Sequence, residues 1–355
     1  MGSTQRTQHA RMGTFDQLEW LLAEDTPAVR HRTLRELCDR PYDAPEVVAA
    51  RAKAMASPPI ATILENENSL GYWMKPGAGY APKYTGTVWQ LILLDQLGAD
   101  GKDPRVRAVC EYVLDHAQAA NGGFGASGDK HPEARPAPSR VIHCLNGNLL
   151  RALIGFGYLD DERVQRAIAW EAQATTGEGS IRFYQSATTG PGFCCAANEA
   201  LPCAWGATKA MLALARIPPE ARTPAMCHAI DVGTDFMLSV DPADAEYPMG
   251  WGNTRPSSAW FKPGFPSFYV ADVLQALEVL GELGRGADPR LDRAFDWLLS
   301  RRDAHGRWRN EYSYHGKLWT DVDVQGQPSK WVTLRAYRAL KLRERCSTQA
   351  GATQA

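Results

Sequence analysis

Two kinds of helical pattern alternate along this chain. In the first, apolar residues fill nearly every position: VWQLILLDQLG (88–98), NLLRALIGFGY (148–158), WGATKAMLALARIP (205–218) and YVADVLQALEVLGELG (269–284). In the second, charges stand between apolar residues at helical spacing: DPRVRAVCEYVL (103–114), DERVQRAIAWEA (161–172) and DPRLDRAFDWLL (288–299). Each of these has an acid ahead of an arginine (Arg105, Arg163, Arg290) and an aromatic seven residues after it. Arg222, in PPEARTPAMCHAIDVGTDFML, fills the gap and gives a repeat of roughly 60 residues.

Each unit therefore predicts helix, tight turn, helix. The all-round apolar member belongs to a buried inner ring and the amphipathic member to an outer ring facing water. Asp103, Asp161 and Asp288 stand where a carboxylate caps free N–H groups at a helix start. WVTLRAYRALKLR closes the chain and EWLLAEDTPAVRHRTLREL opens it, for about ten to twelve helices and no strand. The expectation is an all-α domain over residues 14–345, with disordered ends at 1–13 and 346–355.

Composition narrows the function classes. Lysine plus arginine (39) balances aspartate plus glutamate (40), which removes nucleic acid as an expected partner. No apolar run is long enough to span a membrane and the start is not signal-like, so a cytoplasmic protein is expected. Eight cysteines, two of them adjacent (Cys194 and Cys195), read as reduced thiols and not as a disulfide scaffold. Walker A, GxGxxG, HExxH, GxSxG and DDxxD patterns are all missing.

NGGFGA (121–126) and GRWRNE (306–311) each follow a second helix. They resemble the QxxxGxW/F repeat of squalene cyclases and protein prenyltransferase β subunits. Gln118 with Phe124 matches closely, while Arg302 replaces the glutamine in the last unit. The resemblance, over residues 60–341, implies an α/α toroid of five or six stacked helix pairs, in the terpenoid cyclase and prenyltransferase family. It implies a hydrophobic small-molecule substrate in a central cavity. The DxDD acid of squalene cyclases has only an incomplete match in Asp321-Val322-Asp323-Val324. No Asp-x-Cys stands where prenyltransferases bind zinc.

The chemistry-bearing residues gather on loops entering the inner helices: His143 and Cys144 in IHCLNGN, and Cys194, Cys195 and Cys203 in GFCCAANEALPCAWGATK. Helix N-termini beside these thiols are expected to lower their pKa. One reading is zinc on Cys144, Cys195 and Cys203 with His143 or water, loosely similar to lanthionine cyclases. The other is metal-free acid/base work by Cys194 and Cys203. That segment, with Asn198, is similar to the paired-cysteine segment of linalool dehydratase/isomerase, and Asn148 stands where that enzyme's comparable segment carries a histidine. Asp272, at the head of another inner helix, is a third candidate acid.

Trp73, Tyr84, Trp89, Trp205, Trp251, Trp260, Phe265, Tyr269 and Trp331 form a candidate aromatic wall, whose negative ring faces suit an isoprenoid chain or a carbocation. Lys330 is a candidate contact for an anionic group. The expected function is a lyase or isomerase that dehydrates, isomerises or cyclises an isoprenoid-like substrate, with no required cofactor. The alternatives are a zinc-dependent toroid enzyme, a non-catalytic lipid-binding toroid and a carbohydrate-active (α/α)6 enzyme.

Overall fold

The computed structural model describes residues 15–126, 134–178, 189, 191–247 and 256–354. The expected disordered start and Trp251 lie outside these residues. Thirteen α-helices are present among the described residues, and only isolated bridges in place of strands. The first four are α1 (Phe15–Leu22), α2 (Pro27–Glu36), α3 (Pro45–Met55) and α4 (Ile60–Glu65). Then come α5 (Thr87–Leu97), α6 (Pro104–His116), α7 (His143–Gly155), α8 (Glu162–Thr176) and α9 (Ala204–Ala215). The chain ends with α10 (Pro224–Leu238), α11 (Val273–Glu282), α12 (Asp292–Ser300) and α13 (Lys330–Gln354).

The inner ring runs α5, α7, α9, α11, α13, each packed on the next, and α13 packs on α2. Arg32 of α2 completes the circle by donating to the Asp95 and Gln96 carbonyls at the end of α5 (3.0 and 3.2 Å). Helices α3, α6, α8, α10 and α12 each pack outside the inner helix they pair with, and α1 packs on α13. The fold is thus an α/α toroid of six pairs, the last made by the first and final helices. That seam is polar: Lys341 Nζ donates to the Leu37 carbonyl (2.8 Å) and Asp39 (2.6 Å), and Lys330 pairs with Asp25. Lys330 is therefore a closure residue, not a free contact for an anion.

The repeated Asp-x-Arg works as a local clamp. Asp103, Asp161 and Asp288 accept the backbone N–H two residues on (2.9, 2.8 and 3.0 Å). Each also pairs with the guanidinium of that same residue, at 2.7 Å. Gln118 fastens one pair to the next by donating to the Gly122 and Arg163 carbonyls (2.8 and 2.6 Å). In the last unit α1 supplies the amide, from Gln17 to the His305 carbonyl (2.8 Å).

The tail departs from its compositional reading. Helix α13 continues to Gln354, through the segment expected to be disordered from 346. Extending a formed helix fixes few further dihedrals per hydrogen bond, so alanine and glutamine propagate it. Ser347 and Thr348 bond back to the Arg343 and Glu344 carbonyls.

Candidate functional site

The inner helices are parallel, so their N-termini meet at one end of the ring, and there the structure holds a cavity of about 530 Å³. His143 and Cys144 reach it from the first turn of α7, and Cys203, Trp205 and Gly206 from the start of α9. Tyr84 and Tyr269 reach it from the loops ahead of α5 and α11. The opposite half of the ring is plugged. Arg335 meets Glu278 (2.7 Å), Arg216 meets Asp95 (3.1 Å) and Arg338 meets Glu278 (3.2 Å), leaving only about 30 Å³ beside them. The axis is therefore not apolar throughout.

Among the sequence candidates, the cavity brings together His143, Cys144, Cys195, Cys203, Tyr84, Trp205 and Tyr269. Trp89 lies fully buried behind the tyrosines, its ring 5.2 Å from that of Tyr84 and 5.1 Å from that of Tyr269. The others do not line it. Trp73 and Trp260 are wedges between helix pairs, their indoles donating to the Ile63 and Pro242 carbonyls. Phe265 stacks on Trp331 at 4.3 Å beside the ionic plug. Asn148 donates to the Phe268 carbonyl and Asn198 to the Pro202 carbonyl, so both brace loops.

Three candidate acids are likewise engaged elsewhere. Asp272 caps α11, accepting from the N–H groups of Gln275 (2.7 Å) and Gly264 (3.2 Å), with Arg335 at 3.5 Å. Asp321 pairs with the exposed His315 (2.7 Å). Asp323 bonds to Ser329 at the head of α13, and burial raises its pKa. None of the three lines the cavity.

The thiols reverse an expectation. A hydrogen bond that the Cys144 S–H donates to Cys203, together with burial, pushes the Cys144 thiol well up, and burial also raises Cys194 and Cys195. Desolvation outweighs the helix N-termini, so these are protonated thiols and not thiolates. Cys194 stays outside the cavity lining. His143 Nδ1 is hydrogen-bonded to Glu171 Oε1 at 2.5 Å. Among the described residues no three His, Cys, Asp or Glu side chains are grouped to hold a metal ion, so the zinc set of Cys144, Cys195 and Cys203 is not assembled.

Two residues escaped sequence reasoning. Glu171 is fully buried in α8, with Oε2 accepting from Asn146 Nδ2 (2.6 Å). Its signal was available: Val164, Ile168, Glu171 and Thr175 recur at helical spacing along the buried stripe, where an acid is out of place. Lys209 is the single cation within AWGATKAMLALA, fully buried one turn below Gly206, and its Nζ donates to Gln275. Burial lowers its pKa to about 7.

No protein-family model matches the chain and no curated protein matches it. Among solved structures, a variant of the type II terpene cyclase MstE from Scytonema, in complex with geranylgeranyl dihydroxybenzoate, is similar at 14% identity and TM-score 0.31. The match covers 84% of this chain and 97% of that one. Apo MstE gives 14% identity and TM-score 0.29, covering 84% and 98%. A protein from Actinoplanes gives 13% and 0.28, covering 83% and 99%. Likeness at this level identifies no activity. No described helix is long and apolar enough to cross a membrane.

Proposed function

We propose that the protein is a lyase or isomerase that moves protons on an isoprenoid-like small molecule held in the cavity. The observation that carries this reading is the His143–Glu171 pair. An imidazole in the cavity wall, held at 2.5 Å by a buried carboxylate that Asn146 fixes in turn, has the geometry of an oriented acid/base. Beside it the protonated Cys144 offers a donor to a leaving hydroxyl, while Phe193, Ile142, Trp205 and Val270 supply apolar wall. A cavity of about 530 Å³ falls within the roughly 300–1,000 Å³ range of small-molecule sites.

In this mechanism His143 takes a proton from carbon and returns it elsewhere on the chain, or a thiol protonates the departing oxygen while His143 completes an elimination. Glu171 positions the ring and stabilises the imidazolium that forms. The test is deuterium uptake from D2O into a panel of isoprenoid alcohols and their alkenes, read by mass spectrometry. Uptake should fall about 10²-fold or more in His143→Gln. It should fall less in Glu171→Gln, with a shifted pH profile, both variants being checked for native circular dichroism. Unchanged uptake in a folded His143→Gln protein would falsify the assignment.

A further inference from the structure

The cavity wall is lopsided in charge. Among its described lining residues stand two cations, Lys83 and Arg140, and no aspartate or glutamate. This is a local feature, because the chain as a whole balances 39 bases against 40 acids. The buried arginines of the plug all have carboxylate partners, as Arg335 and Arg338 have in Glu278. Lys83 and Arg140 have no ion-pair partner among the described residues.

Lys83 is also held. Its Nζ lies 5.1 Å from the ring centroid of Tyr84, 5.3 Å from that of Tyr269 and 6.0 Å from that of Trp89. Tyr84, next to it in sequence, has φ +73°, a left-handed conformation that bulky side chains rarely adopt. Lys83, an exposed side chain, thus sets a positive charge beside the ring faces that would steady a substrate carbocation, and like charges repel. A lysine on an aromatic cage and an arginine on the same wall, neither ion-paired among the described residues, instead make a seat for an anion.

We infer that the substrate carries an oxyanion head group, a carboxylate or a phosphate monoester, which Lys83 and Arg140 hold while its apolar tail lies toward Phe193 and Trp205. The inference rests on the isoprenoid reading above only for the nature of the tail. It also sets a positive charge against carbocation chemistry at the Tyr84–Trp89–Tyr269 face and favours proton transfer near His143.

The test is binding, read by tryptophan fluorescence at low ionic strength, with four probes: farnesol, farnesoate, farnesyl monophosphate and dodecanoate. The wild-type protein should bind farnesoate or the phosphate at least about tenfold more tightly than farnesol. The Lys83→Met/Arg140→Met double variant should lose that preference and bind farnesol within about threefold of wild type, which shows the cavity intact. The preferred anion identifies the head group. Farnesol binding as tightly as both farnesyl anions, or a preference that survives in the double variant, overturns the anion seat and leaves the isoprenoid reading standing. Dodecanoate bound with the same dependence on Lys83 and Arg140, while no farnesyl probe binds, keeps the seat and overturns the isoprenoid tail. Binding of none of the four overturns both.

Discussion

Replacing Lys209 with methionine should stabilise the protein at and below neutral pH, and the gain should fade toward the ordinary lysine range. Lys209 has no exposed surface, and burial pulls its ammonium from an ordinary 10.5 to about 7. The unfolded chain keeps the ordinary value, so between these two pH values it binds more protons than the native state, and wild-type stability rises with pH. Below pH 7 both states are charged and the full penalty of burying the ammonium is present; above 10.5 both are neutral and it is gone. The gap between the two values corresponds to at most about 5 kcal/mol, at about 1.4 kcal/mol per tenfold change in proton affinity. Methionine keeps the unbranched length but leaves Gln275 Oε1 without its donor, a pH-independent loss of about 1–3 kcal/mol. The variant should therefore be more stable than wild type by roughly 2–4 kcal/mol near pH 6, and equal or slightly less stable near pH 10. Urea unfolding at several pH values gives this difference directly, because every other titrating group is common to both proteins. A difference that stays flat across the range would refute the buried, depressed lysine.

Two further outcomes follow from packing and burial. Gly147→Ala should lower stability by about 1–3 kcal/mol or more in urea unfolding, because a Cβ there would meet the Lys209 carbonyl oxygen at 2.4 Å and force α7 from α9. With a thiol reagent at pH 8, the exposed Cys227 should react first, the half-buried Cys144 on the cavity wall more slowly because its thiol is pushed well up, and the fully buried Cys110 only on unfolding. Labelling of Cys144 as fast as Cys227 in the native protein would contradict its raised pKa.

The helix pairs were legible in the sequence because their causes are local. Periodicity marked α5, α7, α9 and α11 as buried all round, and the Asp-x-Arg clamps at 103, 161 and 288 are contacts between residues two apart. The cysteine and histidine loops were also legible, since parallel inner helices must bring their starting residues to one end of the ring.

What lay beyond the sequence depends on distance through space. Glu171 reaches His143 from 28 residues away, and α1 meets α13 across nearly the whole chain. Desolvation decided which way the thiols and Lys209 shifted, and it is a property of the packed surroundings rather than of neighbouring residues. Trp73 and Tyr84 read alike as aromatics ahead of the same inner helix. Only the tertiary structure made one a wedge between helix pairs and the other a wall of the cavity, because that choice rests on which carbonyls and ring faces the rest of the toroid brings to meet them.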